Sequence, residues 1–206
     1  MSSRNVLLSV LSFASLAITS LAITSLAIVA PSARAVGEGY KVDPVHSVVL
    51  FKVKHFGAGN YYGRFNDVSG TIVLDSKDPS KSVVELQVKA DSIDTANQKR
   101  DQHLKGPDFF NVKQFPIIAF KAKDVKKSGK DTYEVTGDLT LHGVTKELKI
   151  QAEHVGTGKG MEGEERAGFE ASFKLKRSDF GMKFMIGPVG DEIQVIASLE
   201  CTAGGS

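Results

Sequence analysis

Cysteine is nearly missing from this chain: Cys201 stands alone among 206 residues. One cysteine closes no internal disulfide and builds no cysteine-based metal site. In phase with Ile193, Val195, Ala197 and Leu199, it reads as buried rather than reactive. A charge surplus is missing too. Of 26 basic residues, Arg4 and Arg34 belong to an apolar N-terminal stretch, and the 24 that remain face 24 acidic ones. A neutral chain with both signs interspersed gives no support for nucleic-acid binding. Catalytic signatures are also lacking: no G-x-S-x-G elbow, H-E-x-x-H, P-loop or G-x-G-x-x-G turn occurs. The five histidines, His46, His55, His103, His142 and His154, include no pair at metal-ligand spacing. A metal site would have to be assembled from distant strands, so none is expected.

What is present begins with an export signal. Arg4 supplies a charged start, Val6 to Ala30 is apolar or small, and Ala33-Arg34-Ala35 fits an A-x-A cleavage site. Residues 1–35 are therefore expected to be a signal peptide, with residues 36–206 forming one domain large enough for a sizeable core. The LAITS unit, repeated at 16–20 and 21–25, lengthens the apolar run. At that length an uncleaved membrane anchor is the alternative.

From Tyr40 onward the pattern is almost all β. His46–Phe56, Tyr61–Val68, Gly70–Leu74, Val83–Ala90, Ile117–Val125, Tyr133–Leu141, a return strand through Leu148 and His154, Phe169–Arg177 and Asp191–Cys201 all read as strands. Most show one apolar face. His142-Gly143 reads as a tight hairpin turn. A half-solvated antiparallel sheet of about eight strands must close or pack on itself, and a barrel of that size is either filled or holds one ligand. Five inward positions carry small residues between large ones: Ala122, Gly137, Ala152, Ala171 and Ala197. At one depth they would leave a tunnel; as accommodations of taper or bend they would not.

The stretch Lys99–Phe120 breaks the alternation. A helix-like run from Ala96 to Leu104 meets Gly106-Pro107, a stop signal with glycine expected in the left-handed cap position. A second short run, Asp108–Gln114, ends before Pro116, with Phe109, Phe110 and Phe115 around it. Long connections of this kind are often binding loops. The stretch reads either as a plug helix that closes one end of a barrel, with Arg100 and Asp101 solvated, or as a pocket mouth, with Arg100 and His103 for a polar head and rings for a tail. Arg177, in phase with Phe169 and Phe173, faces the same choice. An inward arginine needs a carboxylate such as Asp179 or Asp101, or an anionic ligand.

Six motifs in order, Tyr40-x-Val42-Asp43 with His46-Ser47, Gly63-x-Phe65, Arg100-Asp101-x-His103-Leu104, Phe115-Pro116-x-Ile118-x-Phe120, Gly137-x-Leu139-Thr140-Leu141-His142-Gly143-Val144-Thr145-Lys146 and Arg177-Ser178-Asp179-Phe180-Gly181-Met182, together resemble the YceI-like family. The resemblance covers essentially all of the mature chain and implies an all-β, eight-stranded antiparallel lipocalin-like barrel with a helical insertion near 95–115. True lipocalins carry a signature tryptophan that this chain lacks, so the likeness is one of architecture. It further implies a periplasmic protein whose apolar tunnel binds a polyisoprenoid lipid, of isoprenoid quinone or polyprenyl phosphate type, with no established catalysis and no other cofactor. It places Arg100, Asp101, His103, Arg177 and Asp179 near the polar end. Phe51, Phe109, Phe110, Phe115, Phe120, Phe169, Phe173 and Phe180 become tunnel or mouth residues. His46 and the strand residues Val53, His55 and Ala171 complete the candidate ligand-binding set. A transient membrane contact and a homodimer are both compatible with it. Two functions stay open: a carrier or store for the lipid, and an enzyme acting on it with His46, His103 and Asp101 as acid/base groups.

Overall fold

A computed structural model describes residues 38–204. The expected signal peptide and its cleavage site lie outside the described residues. In chain order the strands are β1 (Glu38–Val42), β2 (Val48–His55), β3 (Gly59–Phe65), β4 (Val68–Leu74), β5 (Val83–Lys89), the two-residue β6 (Ile93–Asp94), then helix α1 (Gln98–Lys105), β7 (Ile117–Lys127), β8 (Thr132–Leu141), β9 (Val144–Lys159), β10 (Glu165–Lys176) and β11 (Val189–Ala203). Every pairing between them is antiparallel.

Eleven strand segments make a closed eight-stranded barrel because three positions in the wall are each filled by two segments laid end to end. β11 is long enough to pair β1 through Cys201–Ala203 and β2 through Val189–Ser198. β4 continues the line of β3 beside them, and β6 that of β5. Tyr61–Val68, expected as one strand, is accordingly broken at Asn66-Asp67, where Asn66 N–H donates to Ser92 O and Asp67 N–H to Ser92 Oγ. β5 pairs β7, but among the described pairings β6 does not. The stretch 95–116 stands at that point of the wall, with α1 against β6.

The inward rows follow from alternation. In β8 every second residue, from Tyr133 to Leu141, is buried. Two bulges reset the phase in ways that the pattern did not announce. Lys123 is the extra residue opposite β8, so that Val125 rather than Asp124 turns inward after Ala122. Val155 is the extra residue opposite β10 and is exposed. His142 (φ +52) and Gly143 (φ +74) form the β8–β9 turn, with the positive φ at both centres that a two-residue hairpin favours.

The helix gains little from burial, having no buried residue of its own. Local hydrogen bonds hold it: Asn97 caps it by accepting from Arg100 N–H at 3.0 Å, and Asp101 accepts from Thr95 N–H at 2.9 Å and Thr95 Oγ1 at 2.5 Å. Gly106 ends it in an extended conformation (φ −76°), not the expected left-handed one. The left-handed residue comes later, at Asn111 (φ +45), and Asp108–Gln114 is a series of turns rather than a second helix. Phe110 N–H returns to Leu104 O at 2.9 Å, so that Leu104 and Phe110 pack together on the core around Phe65, Ile72 and Val88.

Where β1 passes to β2 over the edge of β11, Asp43, His46 and Ser47 form a polar corner. Asp43 N–H donates to Glu200 O at 2.8 Å, Ser47 Oγ and Glu200 N are 3.1 Å apart, and His46 Nδ1 lies 2.8 Å from Asp43 Oδ2. Arg166 of β10 reaches across to Asp43 at 3.1 Å, Glu164 at 2.6 Å and Glu200. The hydrogen bond from His46, with help from Arg166, holds the Asp43 carboxyl below its ordinary 3.8; Arg166 does the same for Glu164, ordinarily 4.5. A carboxyl with a depressed folded pKa adds stability that is complete above its ordinary value and is lost as pH falls through the folded one. Urea midpoints should therefore drop as pH is lowered below about 4, and Arg166→Ala should show a shallower acid slope than the parent. An unchanged slope would mean that the corner carries none of the acid sensitivity.

Candidate functional site

The barrel encloses a cavity of about 250 Å³. It runs from Val53, Met182 and Val189 at the end bearing α1 to Leu74, Ser82 and Tyr133 at the other, and its lining is almost wholly aliphatic and aromatic. Of the candidate residues, Phe51, Val53, Phe109, Phe110, Phe120, Phe169, Ala171, Phe173 and Arg177 line it. Ala152, Ala171 and Ala197 are cross-strand partners on β9, β10 and β11 and open one side of the waist. The other two small residues do not belong to that row of partners. Ala122 pairs Gly137 on β7 and β8, whereas Ala152 meets Tyr133. Phe120 lies over Gly137, where a Cβ would come 2.6 Å from its Cζ, so this glycine makes room for a ring rather than for a ligand.

The polar candidates are engaged elsewhere. Arg177 sits in a short 3-10 turn (Arg177–Phe180), is 4% exposed, and donates through Nε to Gly190 O, Nη1 to Met182 O and Nη2 to Val189 O, all at 2.9 Å. Its partners are thus three backbone carbonyls, neither Asp179 nor Asp101, and burial lowers its pKa. The neighbouring carboxylate, Asp191, accepts from Ser178 N–H at 2.9 Å and Oγ–H at 2.7 Å. Asp179 is exposed, with Lys146 Nζ at 3.8 Å. Arg100 turns away from the cavity: its guanidinium lies 4.2 Å over the Tyr61 ring and donates to Tyr61 Oη, Thr95 Oγ1 (2.8 Å) and Thr95 O (2.7 Å).

His46, His103 and Asp101 are not brought together. His46 pairs with Asp43, Asp101 with Thr95, and His103 Nε2 with Asp108 at 2.9 Å. His55 is exposed against Phe56, Phe115 packs on His142, and Phe180 is buried with Leu139, Leu141 and Met182 beside the cavity. Asp43, His46 and Glu200 place three ligand atoms within 4.8 Å of one another, but the Arg166 guanidinium already donates to both carboxylates there.

The candidate set favoured the aromatics and left out aliphatic lining such as Ile72, Leu74, Val84 and Val195, although the alternation places Val84 and Val195 in inward rows. It also passed over His154. This imidazole stacks on the Phe169 ring at 5.2 Å, and its buried Nε2 has no hydrogen-bond partner among the described residues.

An eight-stranded antiparallel barrel with an apolar interior and one short helical insertion is a lipocalin-like architecture. Residues 40–201 match the YceI-like domain, and the chain belongs to that family. It is 40% identical over 168 residues to Protein YceI of Escherichia coli O157:H7, covering 81% of this chain and 87% of that one. The crystal structure of a Campylobacter jejuni YceI protein superposes with a TM-score of 0.63 at 34% identity, over 73% of this chain and 90% of that one. A polyisoprenoid binding domain from Saccharophagus degradans shares the fold, with a TM-score of 0.62 at 16% identity, over 80% of this chain and 98% of that one.

The Arg177 geometry has a measurable consequence. Charge-assisted hydrogen bonds are the stronger kind, and removing the donor strands three carbonyls. Arg177→Ala should cost roughly 3–5 kcal/mol in a denaturant titration, and Arg177→Lys should recover only part, because an ammonium cannot reproduce the planar fork. A loss below about 1 kcal/mol would show that the loop is held by other contacts.

Proposed function

We propose that the protein binds a polyisoprenoid lipid in the barrel cavity, as a carrier or store that leaves its ligand chemically unchanged, and that it works in the periplasm after removal of residues 1–35. The observation that carries this reading is the cavity lining: aliphatic and aromatic side chains from every strand position around the barrel, with Arg177, the one buried cation among the described residues, already satisfied by backbone carbonyls. Such a surface offers hydrocarbon a place out of water and little else. Membership of the YceI-like family and the polyisoprenoid-binding neighbour support the same reading.

Magnitudes favour retention by the tail. At ~0.8 kcal/mol per buried CH₂, ten carbons supply roughly 8 kcal/mol, equivalent to about micromolar affinity before ordering costs. No ion pair with a head group is needed for that. Quinone-type and phosphate-type head groups would both be compatible with the apolar lining.

Ala171, between Phe169 and Phe173 and opposite Ala152 and Ala197, lies where an added ring would occupy the cavity. Ala171→Trp should keep the denaturant midpoint of delipidated protein within about 1 kcal/mol of the parent, since the indole enters space that packing leaves free. Mass spectrometry of an organic extract should find the isoprenoid in the exported parent and not in the variant. A large loss of delipidated stability would mean a filled core, and a full lipid load in the variant would place the ligand elsewhere.

A further inference from the structure

At the end of the barrel that bears α1, the β2–β3 turn and the segment leading into β11 meet side by side. Phe56 N–H donates to Pro188 O at 2.6 Å, and Val189 pairs with His55. The two tips carry Phe56, Phe184, Met185 and Ile186, exposed by 63, 38, 40 and 45%. Phe184 is in edge contact with Phe109, at 5.5 Å between ring centres, and Phe109 lines the cavity, so the exposed apolar surface continues into the buried one.

Two of these exposed residues are also strained. Phe56 (φ +47) and Met185 (φ +50) occupy the left-handed region, where a bulky side chain is unusual and Gly or Asn would hold the same turn more cheaply. Fold stability gives no reason to place Phe and Met there with their side chains in water. Charge points the same way. No acidic residue occurs from Val48 to Asn66 or from Gly181 to Gly190, and Lys54 and Lys183 make no ion pair among the described residues. Of the nearby carboxylates, Asp108 is held by His103 and Asp191 by Ser178.

We propose that this end docks on an anionic bilayer surface, with Phe56 and Phe184–Ile186 entering the interface and Lys54 and Lys183 lying among the head groups. A second copy of the chain fits the patch poorly, because a two-fold contact would enclose two copies each of Lys54 and Lys183 with no acidic residue from either segment to pair them. Docking here would bring the apolar lining next to a source of lipid. That consequence rests on the lipid-binding reading; the patch itself does not.

The chain contains no tryptophan, so a single introduced one reports on one place. Phe56→Trp keeps an aromatic ring at the same backbone position, and Phe184→Trp gives a second reporter if the first fails to fold. Met161→Trp, at the fully exposed β9–β10 turn of the other end, is the control. Exported protein is mixed with vesicles of equal phosphatidylglycerol and phosphatidylcholine, part of it brominated. Emission from Phe56→Trp should shift to the blue and fall by about half or more, while Met161→Trp stays unquenched; adding Phe184→Ser and Ile186→Ser should weaken partitioning about tenfold or more. An unquenched Phe56→Trp and Phe184→Trp, equal quenching at both ends, or burial of the reporter in a lipid-free dimer would each overturn the proposal. Extracting the same samples separates the two readings. Lipid-loaded protein with unquenched tips defeats docking alone, and quenched tips on protein that never carries lipid defeat the carrier reading alone.

Discussion

Closure of the hydrogen-bond ladder is the constraint on which the rest of this molecule depends. An open sheet with one apolar face leaves two edges and an unburied surface, and a barrel removes both. Here closure falls on a short contact, Tyr40–Val42 against Cys201–Ala203. The surrounding chemistry is arranged to keep that seam shut. Cys201 is fully buried, the Asp43–Ser47 corner hydrogen-bonds the backbone of Glu200, and Arg166 joins carboxylates from both sides. Burial pushes the Cys201 thiol up to about 12, as expected for a group serving as packing rather than as a nucleophile.

Closing a wall with segments laid end to end has a cost at the β6–β7 position, where pairing is not continued. The stretch 95–116 stands there, and its polar side chains are spent on holding it in place. Arg100 and Asp101 converge on Thr95, and Arg177 fastens the segment before β11 to the end of β10. With its arginines used as fasteners, the interior is left to hydrocarbon surface. The same economy explains why a basic turn followed by aromatics looked like a head-group site: the residue types suit both jobs, and only the direction of each side chain separates them.

Sequence by itself determined a good deal here. The period-two rows of β8, β9 and β10, the His142-Gly143 turn and the ordered motifs were enough for an eight-stranded barrel, because alternation records which face is buried, and a sheet with one buried face has few ways to finish. Inward aromatics such as Phe51, Phe169 and Phe173 were legible for the same reason. Tertiary structure alone decided what depends on register and on partners remote in the chain. The β8–β9 register, with Leu148 opposite Gly137 and Ala152 opposite Tyr133, set Ala122 and Gly137 apart from the row Ala152, Ala171 and Ala197. Gly190, Met182 and Val189, rather than a carboxylate, claimed Arg177. Single-residue shifts and backbone carbonyls leave no mark on the identity of side chains, and the fate of the polar residues therefore appeared only once the chain had closed on itself.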